Sequence, residues 1–185
     1  MEVREAIETR RAYRSLDPAT ITDELIRDLA ASARLAPSCF NYQPWRFVFV
    51  RDPEVLGEMH GALSKNNRWI QRASMIVAVF SREEDDCSVR GRVYHQFDTG
   101  MATAFLILRA TELGLVAHPI AGYREKRVKG ILGIPEEMQV ITLVAVGRHA
   151  GVLHDLLTEE QKEREGERPP RRPFEEFAYV DRYGG

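Results

Sequence analysis

The order of apolar and polar positions along the chain predicts a mixture of strands and helices. Two continuous apolar runs rich in β-branched residues, 74–80 and 140–146, predict strands buried on both faces, and 46–50 predicts a third strand. Apolar residues recur with helical spacing at 2–11, 22–36, 53–63, 93–113 and 125–132, and more weakly at 152–164. We therefore expect an α+β or α/β fold.

The ends of the helices carry their own signals. Thr22 stands before two acidic residues and is an expected N-cap, and Pro53 favours a first helical position. Gly114 is expected to end the longest helix, and we expect a small, apolar loop from there to Gly122. The longest helix carries an apolar stripe made of Val93, Phe97, Met101, Ala104, Phe105 and Leu108.

The last 27 residues differ in composition from the rest. Fourteen of residues 159–185 are charged and three are proline, a composition that is typical of a linker. Four large apolar residues, Phe174, Phe177, Tyr179 and Val180, follow the prolines, however, and a purely solvating tail rarely carries such a group. We therefore divide the chain into a main domain, 1–158, and an arm, 159–185, that docks on another surface.

Charge and cysteine content exclude several classes of protein. With 26 basic and 28 acidic residues the formal charge is −2, which argues against nucleic-acid binding. The N-terminus is charged from its second residue and the longest apolar run is 75–80, so neither a signal peptide nor a membrane span is expected. Cys39 and Cys87 form no CxxC motif, and we expect two reduced thiols in a cytoplasmic protein.

The common catalytic signatures are missing from the sequence. There is no GxSxG elbow, no GxGxxG or GxxxxGK[ST] phosphate loop and no HExxH zinc motif. The five histidines lack the spacing of metal ligands, so no metal site is expected. We also expect no Rossmann-type dinucleotide site.

Three other segments could bind a ligand, although each alone also fits a structural role. Residues 10–14 (RRAYR) place three guanidinium groups close together, which suits an anion. Residues 36–45 (APSCFNYQPW) form a stiff loop between a helix and a strand, with several polar side chains. Residues 114–122 (GLVAHPIAG) are small and apolar, so backbone N–H groups could approach a flat ligand there.

Taken together, these segments resemble the FMN-dependent nitroreductase superfamily along nearly the whole chain. The resemblance rests on RRAYR, on APSCFNYQPWRFVFV at 36–50 and on NRWIQRASMIVAV at 67–79. It continues through 98–123, LGIPEE at 132–137, LVAVGRH at 143–149 and PPRRPFEE at 169–176. The resemblance implies an α+β, three-layer α/β/α fold with a mixed, mostly antiparallel sheet and a C-terminal arm exchanged in a homodimer.

The resemblance also implies which residues hold a tightly bound, non-covalent FMN. Arg10, Arg11 and Ala12 would face its phosphate and ribityl chain, and Arg14 the N1/O2 edge of the flavin. Asn67, or the adjacent Asn66, would read the N3/O2 edge. The N5/O4 edge would lie along Pro119, Ile120, Ala121 and Gly122. The partner subunit would contribute Pro37, Ser38, Cys39 and Asn41, and the arm would contribute Arg171, assisted by Arg168 or Arg172.

Three of these positions depart from the family pattern. Ala12 stands where serine or threonine is usual, which removes one phosphate hydrogen bond. Ala121 replaces a glutamate of the classical nitroreductases, which changes the charge of the pocket. Cys39, where serine is common, offers only a weak hydrogen bond.

The activity implied is oxidoreduction by a ping-pong mechanism. NADH or NADPH would bind transiently and reduce the flavin at N5, and a small electron acceptor such as a nitroaromatic compound or a quinone would then take its place. No side chain would serve as a nucleophile or base. The alternatives are a specialised flavoenzyme of the same fold, such as a reductive dehalogenase or a flavin-fragmenting enzyme, and a non-catalytic flavin-binding protein. The specialised enzymes usually carry a lid, for which the charged loop 81–92 is the candidate.

Overall fold

A five-stranded sheet forms the centre of the protein in a computed structural model that describes residues 1–184. The long strand β7 (Gln139–His149) pairs with β3 (Met75–Ser81) and with β6 (Val116–Ile120). Strand β3 also pairs with β2 (Arg46–Val50), and the short β1 (Leu16–Asp17) pairs with the end of β7. Every strand pairing within the described residues is antiparallel.

Alternating side chains of the sheet enter two separate cores, which is why helices cover both faces. On β3 the even-numbered residues of 76–80 belong to one core and the odd-numbered residues of 75–79 to the other. All seven residues of β3 are buried, as its continuous apolar run predicts. The layers confirm the predicted α+β, three-layer fold.

Several of the helices begin or end at capping residues that the sequence predicts. They are α1 (Val3–Thr9), α2 (Asp23–Arg34), α3 (Pro53–His60), α4 (His95–Glu112), α5 (Glu125–Leu132) and α6 (Glu159–Gly166). The Thr22 hydroxyl accepts a hydrogen bond from the Leu25 N–H, so Thr22 is the N-cap of α2. Gly114 and Gly133 adopt the left-handed conformation after α4 and α5, where other residues would be strained.

Helix α4 turns its apolar stripe away from the sheet. The residues that it buries are His95, Asp98, Thr99, Ala102, Thr103, Leu106, Ile107 and Ala110. Phe97 and Phe105 of the predicted stripe are 63% and 40% exposed. The long helix therefore presents aromatic surface on its outer side, where an isolated subunit leaves it in water.

The prediction of a loop at 114–122 is wrong for most of these residues, because Val116–Ile120 form strand β6 and pair with β7. Pro119 makes this strand difficult to predict, because proline is disfavoured inside sheets. It is tolerated here because β6 is an edge strand. The charged loop 81–92 contains a small hairpin of β4 (Ser88–Val89) and β5 (Arg92–Val93). The weaker helix candidate 152–164 is helical only from Glu159, which follows a capping box at Thr158.

The prediction of two reduced cysteines is wrong in this structure. Cys39 and Cys87 form a disulfide that joins positions 48 residues apart, with their Cα atoms 6.1 Å from each other. The two meet because the loop after α2 packs on the first turn of α4, beside the hairpin that Cys87 precedes. Only tertiary structure brings them together, so their spacing in the sequence carries no signal of the bond.

Candidate functional site

Two distant parts of the chain enclose a cavity of about 180 Å³ that is lined by arginine. One side comes from the segment after α1 and the other from the arm. The lining residues are Arg10, Arg11, Ala12, Arg14, Arg164, Arg168, Pro169 and Arg171. Among these described residues six carry a guanidinium group and none a carboxylate, so the cavity fits an anion. We call it the arginine cavity.

Reciprocal hydrogen bonds fasten the arm to the arginine segment. The Arg11 guanidinium donates to the backbone carbonyls of residues 165–167, at the C-terminal end of α6. In the other direction, the buried Glu165 carboxylate accepts from the backbone N–H groups of Arg14 and Ser15, both at 2.7 Å. We call this pairing the Arg11–Glu165 clasp. It closes the cavity by holding both of its walls.

Like charges crowd the inside of the arginine cavity. Burial, followed by the nearby charges of Arg168 and Arg171, lowers the pKa of the Arg10 guanidinium. Arg168 donates to the backbone carbonyls of Glu8 and Arg10, which fixes the arm further. A bound anion would relieve this repulsion between cations.

The structure brings together most of the arginines that the sequence singled out, but it also changes the set. Arg172 does not line the cavity, whereas Arg164 does. Arg164 pairs with Glu160 one helical turn earlier. Ion pairs with this spacing are common on exposed helices, so nothing in the sequence distinguishes Arg164 from a surface residue.

His118 connects the arginine cavity to the other predicted segments. Its Nδ1 lies 3.0 Å from the Tyr13 carbonyl oxygen, and its ring centre lies 4.6 Å from that of Trp69. Burial lowers the pKa of His118 to about 4, and the positive charges of Arg14 and Arg10 act in the same direction. The imidazole is therefore neutral at neutral pH. Because a carbonyl only accepts, Nδ1 carries the proton and donates it to Tyr13.

Asn67 and Gly122 come from two separate motifs and lie against each other. The Asn67 Nδ2 donates to the Gly122 carbonyl oxygen at 3.0 Å, and the Ser64 N–H donates to the same oxygen at 2.9 Å. A Cβ at position 122 would lie 2.6 Å from both Asn67 Nδ2 and Ser64 Oγ, so glycine is required for this close approach. The N–H groups of Ala121 and Gly122 meet no acceptor within residues 1–184.

The neighbours of Asn67 and Gly122 have other tasks. Asn66 is exposed, and its carbonyl accepts a hydrogen bond from the Gln161 side chain of α6. The Ile120 side chain is buried in the core, so only its backbone can face a ligand. Pro119 is exposed. Of the two adjacent asparagines, Asn67 is thus the one placed beside the free amide groups.

The Pro37–Asn41 loop has contacts of a different kind. Its Cys39 N–H donates to the buried Asp98 carboxylate of α4 at 2.6 Å, and the Cys39 sulfur is bonded to Cys87. Within the described chain this loop makes no hydrogen bond to the residues of the arginine cavity. One copy of the chain therefore leaves the loop outside its own cavity.

A second cavity, of about 330 Å³, is almost entirely apolar. The residues that line it are Met1, Val3, Ala6, Ser32, Leu35, Phe105, Leu108, Arg109 and Glu112. Val3 and Leu35 are more than 70% exposed, so the cavity opens onto a broader apolar surface that includes the outer side of α4. We call this surface the apolar face.

Comparison with known proteins identifies the family. The family model described as "Nitroreductase family" matches residues 7–65 and 58–148, which is most of the chain and includes the arginine segment, Asn67 and Gly122. The chain belongs to the nitroreductase family. It is therefore an oxidoreductase of that family.

Individual relatives of the nitroreductase family agree with this assignment. A protein of Archaeoglobus fulgidus, provisionally named an NADH dehydrogenase/NAD(P)H nitroreductase, is 35% identical over 147 residues, which cover 76% of this chain and 82% of that protein. The iodotyrosine deiodinase of Haliscomenobacter hydrossis is 28% identical over 166 residues, 75% of each chain. A solved oxidoreductase containing FMN has a TM-score of 0.85 and 29% identity, and covers 100% of this chain and 94% of its own.

Across residues 1–184, no three His, Cys, Asp or Glu side chains are grouped so as to hold a metal ion. No helix in the described part of the chain is long and apolar enough to cross a membrane.

Proposed function

We propose that this protein is an FMN-dependent oxidoreductase that takes electrons from NADH or NADPH. The observation that carries the proposal is the arginine cavity, because six guanidinium groups without a carboxylate among the described lining residues match the charge of a phosphate monoester. The solved relative that contains FMN supports a flavin phosphate as this anion. The provisional name of the A. fulgidus relative supports NADH or NADPH as the donor.

The arginines divide the work of holding the phosphate. Arg10 and Arg171 line the cavity and have no acidic partner within residues 1–184, so they are the first candidates for direct contact. Arg168 lies beside them but also holds the backbone of residues 8–10. The donors of Arg11 are engaged by the arm, and Arg11 therefore acts by keeping the cavity closed.

The segments next to the cavity fit the ring system of a flavin. The half-buried Arg14 supplies positive charge, which raises the affinity of a flavin for electrons. Asn67 offers an amide, and the free N–H groups of Ala121 and Gly122 offer donors for the N5/O4 edge. Pro119 and the Ile120 backbone complete this side.

When bound, FMN accepts a hydride from NADH or NADPH and passes electrons to a second substrate, such as a nitroaromatic compound or a quinone, in alternate half-reactions. The residues of the chain bind and orient these partners. The lowered pKa of about 4 makes His118 a weak base, and Cys39 is held in a disulfide, so neither side chain supplies a strong nucleophile or base. The contribution of the protein is positioning and electrostatics.

We propose further that the active form is a homodimer. The apolar face has the composition of a large, permanent interface. A partner would also explain the exposed aromatic residues of the arm, Phe174, Phe177, Tyr179 and Tyr183. In such a dimer the Pro37–Asn41 loop of one subunit, with Ser38 and the Cys39 backbone, would complete the flavin site of the other. The division into a main domain, 1–158, and an embracing arm, 159–185, is part of this proposal.

The absorption spectrum of the purified protein, followed by anaerobic titration with NADH and with NADPH, tests the proposal. We expect a yellow protein whose flavin absorbance near 450 nm is bleached by at least one of the two nucleotides. The Arg14→Ala variant should retain FMN less well and be bleached more slowly. A protein that is colourless after incubation with FMN and removal of the unbound flavin would refute the proposal. An Arg14→Ala variant whose FMN affinity and rate of flavin bleaching are unchanged would refute the role of Arg14.

A second candidate is reductive dehalogenation, for which the iodotyrosine deiodinase relative is the supporting observation. The segment that would serve as a lid is only a short hairpin of two-residue strands, which favours an open pocket. Turnover of iodotyrosine at a rate comparable with that of a nitroaromatic compound would select this alternative. A flavin-fragmenting enzyme and a non-catalytic flavin protein have no specific observation in their favour.

The expected cytoplasmic location and the absence of nucleic-acid partners remain predictions. The argument from reduced thiols no longer supports that location, because Cys39 and Cys87 are bonded to each other.

A further inference from the structure

The disulfide joins the loop after α2 to the segment before the β4–β5 hairpin. Cys39 begins a short turn, Cys39–Asn41, and Cys87 precedes the β4–β5 hairpin. These are the two cysteines of the chain, so both are used in one bond. Cys39 is partly accessible to solvent, whereas Cys87 is buried, so a reagent in solution would reach the Cys39 sulfur first.

The loop that Cys39 anchors has an unfavourable backbone. Phe40, Asn41 and Gln43 have φ angles of 46°, 61° and 52°, a region that residues other than glycine rarely adopt. The Phe40 side chain is 79% exposed and that of Tyr42 is 57% exposed, so the core does not hold them. The loop therefore keeps its conformation through a small number of local bonds, of which the disulfide is the covalent one.

A pair of carboxyl groups lies at the two cysteines. The Asp98 carboxylate accepts from the Cys39 N–H at 2.6 Å, and the Asp86 carboxylate accepts from the Cys87 N–H at 2.8 Å. Burial raises the pKa of Asp86, and the adjacent Asp98 carboxyl raises it further. The two carboxyl groups therefore hold the backbone N–H groups of both cysteines, one on each side of the bond.

We propose that Cys39–Cys87 is a thiol–disulfide exchange site for dithiol reductants, and that its reduction releases the 37–43 loop. A thiolate of the dithiol attacks the Cys39 sulfur, the Cys39–Cys87 bond breaks, and the Cys87 sulfur leaves with the electron pair and takes a proton from water. The second thiol of the dithiol then displaces Cys39. The dithiol is oxidised to a disulfide, and the protein gains two electrons and two protons as two thiols.

Release of the loop has a consequence for catalysis that rests on the proposed function. If the loop completes the flavin site of the partner subunit, the reduced protein will bind its electron acceptor less well, while the arginine cavity stays intact. The redox state of the Cys39–Cys87 pair would then change KM for the acceptor more than it changes the affinity for FMN.

Alkylation and limited proteolysis test the exchange site without reference to flavin. The protein is first oxidised with glutathione disulfide, and one half is then treated with dithiothreitol. Intact mass after iodoacetamide should show no label before reduction and two after it. Chymotrypsin should cut after Phe40 or Tyr42 about tenfold faster in the reduced protein, since local opening becomes easier. Cleavage after Phe174 and Phe177 of the arm provides the internal control and should not change.

The Cys87→Ser variant separates the bond from its surroundings. It should be cut in the loop at the fast rate with or without dithiothreitol, and the thermal midpoint will show whether it is folded. Failure to form the disulfide under oxidation, or equal cleavage of both redox forms, would overturn the proposal. If alkylation and cleavage respond as expected but KM for the acceptor does not, the exchange site stands and the link to the partner site is wrong. A protein that responds in the same way but binds no FMN refutes the proposed function alone.

Discussion

The arginine cavity and the apolar face are neighbours at α1, but the chain encloses the first and leaves the second open to solvent. Val3 and Ala6 of α1 contribute to the apolar face, while Arg10 and Arg11 follow its end and enter the cavity. The same chain closes the cavity, through the Arg11–Glu165 clasp. Nothing in the described chain covers the apolar face. One chain thus encloses the arginine cavity by itself, whereas the apolar face stays open and would be covered only in the proposed dimer.

The largest effect is expected from a charge on the apolar face. Phe105→Asp places a carboxylate at the centre of the proposed interface, where burying an unpaired charge is costly. We expect the dissociation constant of the dimer to rise by at least about a hundredfold. Sedimentation velocity over a concentration series measures it, with Val152→Asp as the control, since Val152 is exposed outside this face. An unchanged dimer in Phe105→Asp would mean that the subunits meet elsewhere.

His118, the buried histidine beside the arginine cavity, should make the free energy of unfolding depend on pH. The pKa of His118 is about 4 in the folded protein against 6.5 in the unfolded chain, so on acidification the unfolded state takes up the proton first. The contribution of His118 to the free energy of unfolding is complete above pH 6.5 and is lost between pH 6.5 and 4. The total loss is about 3 kcal/mol.

Urea titrations at pH 7.5, 5.5 and 4 measure this loss as a difference between the wild type and His118→Gln. Other groups titrate in both proteins and cancel in the difference. The variant should be the less pH-dependent of the two. Parallel curves would show that His118 is not buried in its neutral form.

Opening the clasp should weaken the cavity and leave the apolar face alone. Glu165→Gln removes the charge that accepts from the Arg14 and Ser15 N–H groups and should lower the free energy of unfolding by about 2 kcal/mol. Glu163→Gln is the matched control, because Glu163 lies exposed on the same helix. Trypsin should also cleave the arm of Glu165→Gln sooner. Equal stability of the two variants would mean that the clasp does not hold the arm.

The smallest effect concerns a single arginine of the arm. Arg171→Ala should weaken FMN binding by about tenfold, as expected for one charge-assisted contact in a site that keeps several others. Arg172→Ala serves as the control, because Arg172 does not line the cavity. Calorimetric titration with FMN compares them. A larger loss for Arg172→Ala would place the other arginine at the phosphate.

Most of the framework could be predicted from local patterns. Signals that depend on neighbours in the sequence are found where they were expected. They are the apolar run at 74–80, the N-cap Thr22, and the glycines that end α4 and α5, Gly114 and Gly133. Strand β6 could not be found in this way. It owes its conformation to pairing with β7, and Pro119 within it points to a loop.

The site was predictable in outline through the resemblance to a family, and less so in its details. The sequence shows arginines near both ends of the chain. It does not show that Arg11 holds the arm while Arg10 stays available for a ligand, because the hydrogen bonds of Arg11 reach residues more than 150 positions away. The Cys39–Cys87 bond and the neutral state of His118 likewise depend on tertiary contacts. Each arises from burial beside groups that are distant in the sequence.

The most direct test of the central claim compares FMN with riboflavin, which has the same ring system and ribityl chain but lacks the phosphate. Calorimetric titration of flavin-free protein with each should show that FMN binds at least about a hundredfold more tightly, because the other arginines of the arginine cavity act on the phosphate and Arg14 acts equally on both flavins. The advantage of FMN should shrink as salt is raised. Equal affinity for FMN and riboflavin would contradict the account, since the arginine cavity would then have no part in binding the cofactor.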